Sequence, residues 1–446
     1  MTIPPADQAT AAPAFLADPP LPLDGFPAEE FRERRDRLRA AFPDSIVMIR
    51  GSSDDEFSGA NVYRQNSSFF YLTGVETPGA SLVLLPDSVP ARTGLRDTPI
   101  EVRELLFLPP RNAGSETWSG PQMGPGEAAE KSTGIQKVTD SSGFLNAMVG
   151  WIRRCPLVAT PMPYGANAAA TPEYALMDII ARMAPAVQFR DAGMALAGLR
   201  SVKTEMEIDR IRQAIEITAA GQRVARKLIA SGAGLFEYEI EARIFEAFRS
   251  RAATLAFATI VGGGRRGTVL HYERNSQRLE DGELVVVDIG ARLGYYCGDL
   301  TRTYPVGGRF STRQREVYKL VLDAHERAIA SYKPGEDTLK ALSDRCKEFL
   351  KDSSLRSRNE KGEEQTMNQF MPHGLSHHLG LDVHDVGDPE APLAPGNVIT
   401  IEPGIYLPAE GIGVRIEDDY LVTAAGLERL GPALEKDITE LEASMA

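Results

Sequence analysis

The chain has 446 residues and carries 49 Lys+Arg against 62 Asp+Glu, a formal charge of −13, with 43% hydrophobic residues. That balance excludes the basic face a nucleic-acid or anionic-membrane binder needs, and the length predicts two or three domains, each with its own core. Cys155, Cys297 and Cys346 are odd in number, far apart and without C-x-x-C spacing, which predicts reduced thiols in a cytoplasmic protein and excludes a disulfide framework. No apolar run reaches the roughly 18 residues that a membrane-spanning helix needs.

Residues 1–26 are rich in Pro and Ala but lack a basic n-region and a continuous apolar h-region, so they read as a flexible leader or surface strap. Residues 27–196 read as an α/β domain. Its charged helical stretch AEEFRERRDRLRAAF precedes four runs with the look of buried strands: SIVMIR (45–50), SSFFYLTG (67–74), SLVLLP (81–86) and ELLFLP (104–109). None of the six histidines lies before position 271, so this half is expected to support or gate a site and not to carry it.

Residues 197–446 form the second predicted domain. Thr204-Glu205-Met206-Glu207 fits a capping box, and Ile208, Ile211, Ile215 and Ala219 follow on one helical face. Further helices are predicted at 236–250, 312–331 and 338–351, with His325 on the second of these read as a surface residue. The runs FATIVGG, ELVVVDIG, YCGDLTRTYPV, VITIEPGIY and VRIEDDYLVT read as strands in hairpin-like pairs. The fold class expected for the whole chain is therefore α+β, its second domain built on a mostly antiparallel sheet.

Acids at the ends of these strands are the unusual feature. With an even-length turn around Ala291–Gly294, Asp288 pairs with Cys297 and Asp299 becomes its diagonal neighbour on the same face; an odd-length loop separates them. Glu402 and Glu417 likewise interrupt half-buried strands, where an unpaired carboxylate is costly. Pairing with Arg302 and Arg415 is the plain structural explanation. Histidines favour another, since His373, His377, His378 and His384 fall within the twelve residues HGLSHHLGLDVH. No Glu follows the first of them as H-E-x-x-H requires. Four carboxylates balance the charge of two divalent ions, and an oxygen-rich set with one imidazole suits Mn²⁺, with Co²⁺ or Zn²⁺ compatible. Two such ions can activate one water for hydrolysis.

Asp288, Asp299, His377, Glu402 and Glu417, in the contexts VVDIGA, GDLTRTYPV, HGLSHHLGLDVHD, TIEPGIY and GVRIEDD, resemble the pita-bread metallopeptidases, and most closely the aminopeptidase P (Xaa-Pro aminopeptidase) family. YRQNSSFFYLTG (63–74) is similar to that family's amino-terminal segment. The resemblance covers all but the leader. It implies a creatinase/prolidase-like amino-terminal α/β domain ahead of a pita-bread catalytic domain. It also implies removal of the first residue from peptides with proline second, by attack of a metal-bridging hydroxide on the Xaa-Pro carbonyl.

On that resemblance Asp288 would chelate one metal, His377 and Glu402 the other, and Asp299 and Glu417 would bridge both. Glu402 would also act as base. His373 and His384 would stabilise the tetrahedral intermediate and contact the proline-side carbonyl; His271, in TVLHYERN, would line the substrate pocket. Tyr406 and Arg415 would orient ligands and bind substrate. The family's members form dimers or tetramers, which implies a homo-oligomer. Phe257 and Asp385 stand where relatives often have Tyr and Glu, and His378 receives no role. Trp118, in ETWSGPQMGP, reads either as a pocket wall, within the chain or across a subunit boundary, or as a packed aromatic. Xaa-Pro dipeptidase (prolidase) is the nearest alternative, followed by methionine aminopeptidase. A metal-free creatinase-like enzyme or a binding module would have lost ligands that are present here.

Overall fold

The computed structural model describes residues 25–53, 63–87, 89 and 102–446, so the expected leader lies outside the described residues except for Gly25 and Phe26. The chain divides into two compact units, residues 1–199 and 200–446.

In the first unit, β1 (Ile46–Arg50), β2 (Ser81–Leu84), β3 (Glu104–Leu108), β4 (Lys137–Asp140), β5 (Leu157–Thr160) and β6 (Gln188–Asp191) form one sheet in the order β4-β3-β2-β1-β5-β6. Its centre pairs antiparallel and its outer pairs are parallel, and Met48, Val83, Leu105, Phe107 and Trp151 fill its core. SSFFYLTG departs from expectation: Ser67–Thr73 is a helix. A short apolar run does not distinguish a buried strand from a buried helix, and here the ends decide. The Asn66 side chain accepts from the N–H groups of Ser68 and Phe69, and Gly74 closes the helix at φ 66°. The carbonyls of Tyr71 and Leu72, in the last turn of the helix, accept from the buried guanidiniums of Arg34 and Arg35. Trp118 is 92% exposed on the helix Ala113–Ser119, so it is not a packed aromatic of this unit.

In the second unit, the capping box of Thr204 and Glu207 opens the helix Glu205–Ala230, followed by Glu237–Arg249, Thr312–Ala330 and Leu339–Asp352. Thirteen strands complete it: β7 (Thr254–Leu255), β8 (Ile260–Gly263), β9 (Leu284–Ile289), β10 (Ala291–Leu293), β11 (Tyr296–Cys297), β12 (Leu300–Pro305), β13 (Arg356–Arg358), β14 (Glu364–Thr366), β15 (Val398–Ile401), β16 (Gly404–Leu407), β17 (Ile412–Arg415), β18 (Asp418–Thr423) and β19 (Gly426–Arg429). Every strand pairing among the described residues of this unit is antiparallel. The chain is therefore α+β, with helices laid over antiparallel sheet and one apolar core beneath. No helix of the described residues is long and apolar enough to cross a membrane, and the three cysteines are buried and form no disulfide among the described residues.

His325 corrects an expectation. It is fully buried on the helix Thr312–Ala330, because it lies in register with Tyr318, Val321 and Ala328 on the inner face. Its ring packs beside Asp418, and burial pushes its pKa down to about 3.

Candidate metal centre

Strand register decides where the acids meet. Asp288 pairs with Thr301, not with Cys297, because the hairpin turns at Gly294-Tyr295, with Leu293 opposite Tyr296. Gly294 takes the left-handed conformation the tight turn needs, at φ 61°. The partner moves four residues along from the expected one, an even number, so the faces are preserved. Continuing the ladder one step past Leu300 sets Asp299 opposite Gly290, on the side of the ribbon that carries Asp288.

Glu402 and Glu417 arise the same way. Ile401 pairs with Asp418 and Gly404 with Arg415, so one register runs through both strand pairs and places Glu402 opposite Glu417 at the break between them. Pro403, which has no N–H to donate, occupies that break. The flanking strands are fully buried, more so than the half-buried strands expected. The histidine segment attaches to the same ribbon. His377 N–H donates to Thr400 Oγ1, its carbonyl accepts from Thr400 N–H, and His378 bridges Ile399.

These elements enclose a cavity of about 580 Å³ whose lining includes Asp288, Asp299, His377, Glu402 and Glu417. Ligand atoms of Asp299, His377 and Glu417 lie within 4.8 Å of one another. His377 Nε2 lies 3.4 Å from Glu402 Oε1 and 3.6 Å from Asp299 Oδ2. Its Nδ1 sits 3.0 Å from the His378 carbonyl, which fixes the proton on Nδ1 and leaves the Nε2 lone pair facing the acids. Burial pushes the His377 pKa down to about 4, so the ring is neutral at pH 7.

The acids do not follow the plain ion-pair explanation. Arg302 pairs with Asp418 at 2.5 Å, and among the described residues only Asp288 of the four acids reaches a guanidinium, Arg415 Nη2 at 2.5 Å. Asp288 Oδ1 and Asp299 Oδ1 are buried without a hydrogen-bond partner. Burial, then the neighbouring carboxylates, raise Asp299 and Glu402 well above the usual range and push Glu417 up to about 8. Crowded, buried, partnerless carboxylate oxygens beside an imidazole lone pair fit divalent cations.

Around this set runs a chain of donors. Arg415 Nη1 donates to Tyr406 Oη (2.7 Å), Tyr406 lies 2.9 Å from His373 Nε2, and His373 Nδ1 lies 2.7 Å from the Gly374 carbonyl. Both His373 nitrogens are thereby engaged. Tyr406 is buried behind His373 and is not among the residues lining the cavity; its contacts are with Arg415 and His373. Arg415, His271 and His384 do line the cavity. His384 is exposed, stands edge-on to His377 with centroids 4.5 Å apart, and makes no hydrogen bond among the described residues. His378 faces away from the cavity, its ring buried against Gly387. Phe257 also lines the cavity and packs on Gly290, while Asp385 accepts from Arg200 (2.5 Å) and Lys203 (3.1 Å).

Several supporting residues were not expected. Thr301 Oγ1 donates to Glu417 Oε2 at 2.6 Å, and the fully buried Asp419 accepts from Asp299 N–H at 3.0 Å. Gln222 Nε2 spans the carbonyls of Val287 and Leu300, one residue before Asp288 and one after Asp299. Asp419 was legible, since it shares a strand face with Glu417; Gln222 lies too far off in sequence to signal its role.

The Metallopeptidase family M24 profile matches residues 209–424, and the profile of the aminopeptidase P N-terminal domain matches residues 31–157. The chain is 34% identical over 441 residues to the Xaa-Pro aminopeptidase of Haemophilus influenzae, covering 93% of this chain and 97% of that one. It is 33% identical to the Escherichia coli K12 Xaa-Pro aminopeptidase, covering 94% and 97%. Among solved structures it is similar to proline aminopeptidase P II from Yersinia pestis (TM-score 0.79, 31% identity, 94% and 99% covered). It is equally similar to aminopeptidase P from E. coli with the inhibitor Pro-Leu (TM-score 0.79, 31% identity, 94% and 98% covered). With an amino-terminal domain and a catalytic domain of these kinds joined in one chain, the protein belongs to the Xaa-Pro aminopeptidase (aminopeptidase P) family of metallopeptidases, which are hydrolases.

Proposed function

We propose that this chain is a dinuclear metal-dependent aminopeptidase that releases the first residue from peptides with proline second. The observation that carries the reading is four carboxylates converging in one cavity around the free Nε2 of His377, three of them without Lys or Arg as partner among the described residues. Asp288 would hold one ion, His377 and Glu402 the other, and Asp299 and Glu417 both. The oxygen-rich set favours Mn²⁺, with Co²⁺ and Zn²⁺ as substitutes. Divalent ions held by these residues would supply Lewis acidity, lowering the pKa of a bound water and polarising the scissile carbonyl.

The protein's own groups do the rest. Glu402 takes the proton from the attacking water. Of the two histidines expected to stabilise the oxyanion, His384 has free nitrogens; His373 must first exchange its bond to the Gly374 carbonyl. Arg415 holds Asp288 in place and is itself braced by Tyr406. Phe257, Leu270 and Val383 give the cavity an apolar side suited to the proline ring. A homo-oligomer in the cytoplasm belongs to the same reading.

Rates on Ala-Pro-Ala and Ala-Pro, before and after chelation, test it. Hydrolysis of the tripeptide that EDTA abolishes and Mn²⁺ restores is expected, and Asp299→Ala should be inactive. Chelator-resistant cleavage refutes the metal mechanism. A strong preference for Ala-Pro makes the enzyme a dipeptidase.

A further inference from the structure

The segment between β8 and β9 is fastened from below and presents side chains above. Glu237, fully buried, accepts from Gly263 N–H (3.0 Å), Arg266 Nε (2.7 Å), Tyr272 Oη (2.8 Å) and Gln277 N–H (2.9 Å). Asn275, also fully buried and at φ 44°, accepts from Val261 N–H (2.9 Å) and donates to the Thr259 carbonyl (2.7 Å) and Glu241 (3.0 Å). With Tyr272 and Asn275 tied down, His271 and Glu273 are the neighbours that line the cavity. Glu273 is exposed, and among the described residues it has neither hydrogen bond nor ion pair, Arg274 beside it included.

An exopeptidase that takes the amino terminus holds that end innermost, so the chain beyond proline leaves through the mouth. Glu273, which lines the cavity and is exposed to solvent, is assigned to that mouth. We propose that Glu273 selects peptides with a cationic side chain on the residue after proline, a Lys or Arg in the third position. The inference rests on the aminopeptidase reading and names its substrate class. The fixed backbone matters, because it holds the carboxylate at the rim with little ordering left to do on binding. An exposed ion pair of this kind predicts about a two- to fivefold preference.

The test compares kcat/KM for Ala-Pro-Lys, Ala-Pro-norleucine and Ala-Pro-Glu within each protein, so that any general loss of activity cancels. The wild type should favour Lys over norleucine about two- to fivefold, and less so as salt rises. Glu273→Gln should bring the ratio to about one, Glu273→Asp should keep it above one, and Glu273→Lys should favour Ala-Pro-Glu. A wild-type ratio near one, or an unchanged ratio in Glu273→Gln, overturns this inference while leaving the peptidase reading intact. Failure to cleave any of the three peptides overturns the peptidase reading itself.

Discussion

Chelated protein should lose stability as pH rises from 7 to 8.5, while metal-loaded protein should not. Glu417 ordinarily ionises at 4.5 and is pushed up to about 8 in the fold, so between those values the folded state binds a proton that the unfolded state has released. Stability therefore falls as pH rises through that window, and a rise of about 3.5 units corresponds to roughly 5 kcal/mol in full. His373, His377 and His378 act oppositely: burial lowers each from 6.5 to about 4, so they add stability as pH rises to about 6.5 and little beyond. Above pH 7 the carboxylate effect stands nearly alone. Glu417 then contributes a loss on the order of 1 kcal/mol between pH 7 and 8.5, a drop of a few degrees in Tm. Bound divalent ions favour the ionised acids and remove the effect. Differential scanning calorimetry at four pH values, with and without chelator, reads the gap between the two forms. A gap that stays constant or narrows over this range would refute the reasoning.

Arg415→Lys should cut kcat by at least about a hundredfold with the fold intact by circular dichroism, since one ammonium does not reproduce the fork that reaches both Asp288 and Tyr406. Thr301→Val keeps the side-chain volume but removes the donor to Glu417. Competition with a metallochromic chelator should show metal affinity weakened about 10- to 100-fold. Gln222→Leu strands the Val287 and Leu300 carbonyls in the core and should cost roughly 1–3 kcal/mol in urea unfolding. Asn66→Ala removes the cap of Ser67–Thr73 and should cost about 1 kcal/mol; no change would mean that the arginines alone hold that helix.

How far the sequence reaches differs from one feature to the next. Helix starts were legible where a cap announces them, as at Thr204 and Glu207, and the acids were legible because charge at the end of an apolar strand is costly and rare. Which residue faces which acid was not, because parity survives a four-residue slip: Asp288 and Asp299 share a face in either register, although the partner is Thr301 and not Cys297. Ser67–Thr73 misled because its apolar run satisfies both periods, and only Asn66 and Gly74 separate them. His325 misled because a polar residue was weighed apart from its spacing to Tyr318 and Val321. Gln222 and Thr301 act through partners distant in sequence, and uncharged residues carry no local sign of that.

The turn joining β16 to β17, residues 408–411, has an exposed tip at Ala409 and Glu410, the sort of place where chains usually tolerate insertions and deletions. Here that freedom is gone. One register runs unbroken from Leu407 opposite Ile412 to Ile401 opposite Asp418, so losing or gaining a single residue at the tip would slide the arms by one. Glu402 and Glu417 would then no longer stand opposite each other, and one would turn from cavity to core. The length of this surface loop is set by chemistry that it does not touch.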